Sequence, residues 1–140
     1  MNLMNWKGCE DNFIRRVTSD IEKIESILDV AVKRFKFIDS QNVSKENVSF
    51  IIEGYYEIIK ELLVALLLKD GLKSKNHQCL ISYFYRKYPD YESEVNLLSE
   101  LSYLRNRLDY YGEAIDISFY NKNKEEITKF IGFLVGVVKK

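Results

Sequence analysis

The stretch DNFIRRVTSDIEKIESILDVAVKRFKFID, residues 11–39, decides the fold class. Phe13, Val17, Ile21, Ile24, Leu28, Ala31, Phe35 and Ile38 step along it by four, four, three, four, three, four and three residues. That spacing puts one apolar seam on a helix over about four heptads, as bundle packing requires. Arg15, Arg16, Glu22, Glu25, Lys33 and Lys36 occupy the other side. The spacing predicts a first helix from about Asp11 to Asp39.

Working outward, Ser40–Val43 reads as a short polar loop. Ser44 is a candidate N-cap for a second helix reaching Lys69, with Gly71 as its stop. Val48, Ile51, Ile52, Tyr55, Ile59, Leu62, Leu63 and Leu66 form its stripe, widened late by Ala65, Leu67 and Leu68. Ser74 or Asn76 caps a shorter third helix ending before Pro89, the only proline. Asp90 opens a fourth helix with Val95, Leu98, Leu101, Leu104 and Leu108 inward, ended by Gly112. Residues 113–122 read as irregular; EAIDISFY (113–120) could hold an extended segment, but one short strand has nothing to pair with. Asn123 and Glu126 have capping-box spacing for a last helix whose core face is Ile127, Phe130, Ile131, Leu134, Val137 and Val138. The expected fold is all-α, an antiparallel up-and-down bundle of four long helices plus one short helix, in a single domain over residues 1–140.

Composition narrows the functions. The 140 residues carry 21 Lys plus Arg against 21 Asp plus Glu, which argues against a surface that binds nucleic acid by bulk charge. Cys9 and Cys79 lie far apart and His77 is the sole histidine, so a zinc site is not expected. Both cysteines read as unpaired, buried thiols, in keeping with a reducing cytoplasm. The start MNLMNWKGCEDN lacks the apolar core of a signal peptide, and the longest apolar runs, residues 62–68 and 131–138, fall short of a membrane span. A soluble, cytoplasmic protein is expected. Gly132 and Gly136 form a GxxxG, read as close helix packing. There is no Gly-rich phosphate loop, no HExxH and no Ser/His/Asp set, and no cofactor is implied. His77, early in the third helix, reads as a surface or half-buried imidazole bonded to backbone.

The densest polar cluster is LRNRLDYYG, residues 104–112. Two arginines, an amide, a carboxylate and two phenols crowd the end of the fourth helix. Asp109 opposes the helix dipole there, and Arg105, four residues earlier, is placed to pair with it. Glu57 and Glu61 sit one turn apart on the second helix, facing either solvent or these arginines. Arg105 and Arg107 with nearby tyrosines would also suit a nucleotide's phosphate and base.

The segment YYEIIKELLVALLLKDGLKSKNHQCLISYF (55–84) resembles the central helices of the HEPN family of small prokaryotic helical-bundle proteins. LRNRLDYYG resembles that family's signature, an Arg, a polar residue and then a His four to six residues after the Arg. The resemblance implies a homodimer, often partnered in a toxin–antitoxin pair by a minimal nucleotidyltransferase. Active members are metal-independent ribonucleases with the Arg and His of both subunits in a cleft at the dimer interface. Here Arg105 matches the motif arginine and Asn106 the polar residue, but Tyr110 or Tyr111 stands where the His belongs. Imidazole shuttles protons near neutral pH; a phenol with a pKa near 10 is a poor base. Ribonuclease activity is therefore expected to be weak or lost. An active endoribonuclease, with Arg105 on the phosphate and Tyr110 as acid, is one alternative; a nucleotide-binding bundle is another. Arg105 and Tyr110 also lie about 140° apart on an ideal helix, so one site would need a distorted helix end or a second subunit.

Overall fold

The computed structural model describes residues 3–140. Met1 and Asn2, part of the stretch read as carrying no signal peptide, lie outside it. The chain is mostly helical: α1 (Trp6–Asn12), α2 (Ile21–Asp39), α3 (Val48–Lys69), α4 (His77–Lys87), α5 (Glu92–Tyr111) and α6 (Ile117–Lys139), with strands β1 (Ile14–Arg16) and β2 (Leu72–Ser74). Among the described residues no helix is long and apolar enough to cross a membrane.

α3 is the element on which the others pack, touching α2, α4, α5, α6 and β2. Its sequence explains this. From Leu62 to Leu68 apolar residues point in every direction, and all but Val64 are buried. A helix apolar all round has to be covered on all sides. α2 approaches it closely at Gly54, where an added Cβ would fall 2.6 Å from Ile38 Cδ1. The Tyr55 hydroxyl donates to Asp39 at 3.0 Å across the same contact.

The first expectation to change is the long first helix. The seam is kept from Ile24 onward, but residues 11–20 are not part of α2. Asp20 caps α2 by accepting from the Lys23 amide at 3.1 Å, and Asn5 caps the separate α1. Ile21, counted in the seam, is 71% exposed. Between the two helices, β1 pairs antiparallel with β2, with Ile14, Arg15 and Arg16 opposite Ser74, Lys73 and Leu72. Neither strand was expected.

A disulfide joins Cys9 of α1 to Cys79 of α4, with Cα atoms 5.7 Å apart. This corrects the reading of two free thiols and removes its support for a reducing compartment. The bond, the small ladder and the Ser82 hydroxyl donating to the Met4 carbonyl at 2.7 Å hold the N-terminal segment against α4.

Other helix starts move as well. Asn47, not Ser44, precedes α3, and its side chain turns back to accept from the Ser44 amide at 2.8 Å. Asn76 caps α4, whereas Ser74 belongs to β2. α5 opens at Glu92, two residues after Asp90. α6 begins at Ile117, with Asp116 accepting from the Ser118 amide at 2.8 Å, so most of the stretch read as irregular is helix. Asn123 lies inside α6, donating to the Phe119 carbonyl. Gly132 and Gly136 face open space, so the GxxxG does not mark close packing within the chain.

Candidate functional site

α5 runs as a regular helix to Tyr111 and stops at Gly112, whose φ of +66° favours glycine. The turn after it is fixed to the start of α3: the Ile115 amide donates to Ser49 Oγ at 2.8 Å in a buried setting. From there α3 and α5 run antiparallel, and polar side chains meet one turn apart, Glu53 with Asp109 and Glu57 with Arg105.

Arg105 sits inside this row. Its Nε lies 3.0 Å from Asp109 Oδ2, and its Nη2 lies 3.6 Å from Glu57 Oε1. The guanidinium carbon is 5.9 Å from the ring centre of buried Tyr56. The Asp109 contact is an ion pair without good hydrogen-bond alignment, since the buried Nε has no aligned acceptor. Asn106 Oδ1 is 3.5 Å from Nη1, at the far limit of a hydrogen bond. Glu53 adds a third carboxyl group. Its hydrogen bond to Asp109, then partial burial, raise its pKa above the ordinary carboxylate value, with Arg105 pulling the other way. Arg105 is thus shared between Glu57 and Asp109 with Glu53 beside them, and Lys60 adds a second cation 2.7 Å from Glu57 Oε2. Local charge at Arg105 is not set up for an incoming phosphate.

Arg107 is two residues on and about 160° around the helix. It binds Glu113 through two nitrogens, Nε at 2.9 Å from Oε2 and Nη2 to Oε1, and lies over the Tyr111 ring at 4.4 Å. Tyr110 and Tyr111 are 74% and 68% exposed, and Tyr103 is 61% exposed. With Arg105 inward and Tyr110 outward on an undistorted helix, the two do not meet within one chain. Nor can Arg105 and Arg107 grip a single phosphate.

Glu61 does not join the Arg105 group; it pairs with Arg34 of α2 at 3.3 Å. His77 stands at the start of α4. Its pKa is lowered by partial burial and then by the positive charges of Lys60 and Arg105, against an opposing pull from Glu57. Sequence reasoning anticipated the Arg105–Asp109 pair and one orientation of Glu57. It missed Glu53, although Glu53, Glu57 and Glu61 are spaced four apart.

Comparison with protein-family models, with curated proteins and with solved structures gives no match.

Proposed function

We propose that this chain is a HEPN-like module that forms a homodimer through α5, binds a protein partner, and has little or no ribonuclease activity. The observation that carries this reading is the division of α5 into two sides. On the inner side Arg105 is held by Glu57 and Asp109. Tyr110, which stands in place of the motif histidine, is 74% exposed and lies on the other side of the helix. The outer side presents Tyr103, Tyr110, Tyr111 and Arg107, the residue types that dominate protein interfaces.

That outer side is also complementary to itself. Glu100 and Arg107 are seven residues apart with Tyr103 between them. Two α5 helices crossing antiparallel near Tyr103 and Leu104 bring Glu100 of one copy to Arg107 of the other, twice, around a tyrosine centre. This is the isologous arrangement of a two-fold dimer. An antiparallel four-helix bundle of α2, α3, α5 and α6 is the architecture this reading assumes. The partner is a minimal nucleotidyltransferase, the usual companion of such modules. Free thiols would favour a cytoplasmic setting, the Cys9–Cys79 bond weighs against a reducing compartment, and the reading does not depend on location.

Sedimentation equilibrium tests the proposal. The wild type is expected to dimerise at micromolar concentration, and Tyr110→Asp to be monomeric and folded. A wild type that stays monomeric at about 100 μM, roughly −5 kcal/mol on the affinity scale, overturns it.

A further inference from the structure

A cavity of about 150 Å³ opens between α2, α3, β2 and the start of α4. Val64, Leu67, Leu68, Leu72 and Leu80 form its apolar wall. Its polar lining is Lys23, Lys73, Ser74 and His77, with no acidic residue. We propose that this cavity binds a small monocarboxylate with a short apolar chain.

Size, wall chemistry and charge each point to that class. The volume is about five times the ~30 Å³ share of one liquid water, which suits a chain of a few carbons and is too small for a nucleotide or a long fatty acid. An apolar wall favours a hydrocarbon body over a hydrated inorganic anion, whose desolvation such a wall cannot repay. Lys23 and Lys73 line the cavity and belong to none of the ion pairs among the described residues. A carboxylate head here would meet these two cations; the Ser74 hydroxyl is already committed to the Asn76 carbonyl at 2.7 Å. His77 lies on the same lining, and partial burial, then the positive charges of Lys60 and Arg105, disfavour its protonation, with Glu57 pulling the other way. An anion beside the imidazole reverses that bias.

The chain has a single histidine, so its imidazole resonance is unambiguous in an NMR titration. Hexanoate is the probe, with hexanol as the neutral molecule of the same shape and sulfate as the anion without a chain. Hexanoate is expected to raise the His77 titration midpoint and to shift amide resonances of Val64, Leu72 and Ser74. Hexanol should bind about tenfold more weakly or worse, and sulfate should leave the apolar wall unshifted. Lys23→Gln with Lys73→Gln, both exposed and harmless to folding, should weaken hexanoate by about tenfold. Val64→Phe, which fills the cavity with both lysines kept, should abolish binding. Equal binding of hexanol, an equal His77 shift with sulfate, or hexanoate binding untouched by the lysine substitutions overturns the proposal. Those outcomes leave the α5 dimer reading as it stands, since no residue is shared.

Discussion

Arg105 and Arg107 are separated by one residue and live in different regions of the molecule. Arg105 lies in the α3–α5 seam, its side chain 24% exposed, tied to two carboxylates and beside an aromatic ring. Arg107, its side chain 35% exposed, lies on the opposite side of α5, paired with exposed Glu113 and lying over exposed Tyr111. The same guanidinium chemistry holds two helices together in one place and dresses an interface in the other. A helix rotates about 100° per residue, so a skip of one residue is enough to move a side chain from the seam against α3 to the opposite side of α5. A motif read along the chain as one cluster is therefore two clusters in space.

The largest effect expected from this contrast is on stability. Arg105→Ala leaves Glu53 and Asp109 facing one another, with Lys60, 2.7 Å from Glu57, as the remaining cation of the group. It should cost about 2 kcal/mol, or a melting temperature lower by about 5 °C. Arg107→Ala should leave monomer stability unchanged, because its partner is solvated. Equal effects of the two substitutions in calorimetry would erase the distinction. Next in size is association: Tyr103→Asp should weaken the dimer about tenfold or more while the melting temperature of the monomer is unaltered. Swapping charges sharpens the same point. Glu100→Arg alone should weaken association, and Glu100→Arg combined with Arg107→Glu should restore it, as sedimentation would show.

The smallest effect is in pH dependence. The folded protein holds the Glu53 proton more tightly than the unfolded chain. Stability therefore falls as pH rises from the unfolded carboxylate value through the raised folded one, and Glu53→Gln should flatten that decline. His77 acts with the opposite sign, because its folded pKa is lowered. As pH falls through the interval below its ordinary value near 6.5, the unfolded chain takes up the proton first and stability drops. Urea unfolding across pH, with and without His77→Gln, measures this slope.

How far the sequence could be read follows the range of the interactions involved. The seam from Ile24 to Ile38 and the all-round apolar end of α3 are periodic and local, and they were legible. The break before Asp20 was also written locally, in Thr18-Ser19-Asp20, three residues that favour helix caps. A regular apolar spacing running through it outweighed that signal. Asp116, another cap, was passed over for the Asn123–Glu126 pattern. The β1–β2 ladder and the Cys9–Cys79 bond, 70 residues apart, depend on contacts that no local pattern carries. The same holds at the site. Arg105–Asp109 is an i,i+4 pair and was visible, whereas the Glu53–Asp109 hydrogen bond depends on the register between α3 and α5.

The central claim is that the Arg105 guanidinium serves the protein's own carboxylates and not a phosphate. Incubating purified wild type and Arg105→Ala with RNA in EDTA tests it most directly. The account predicts that neither protein cleaves above a buffer control. Cleavage by the wild type that disappears in the folded Arg105→Ala variant would contradict it.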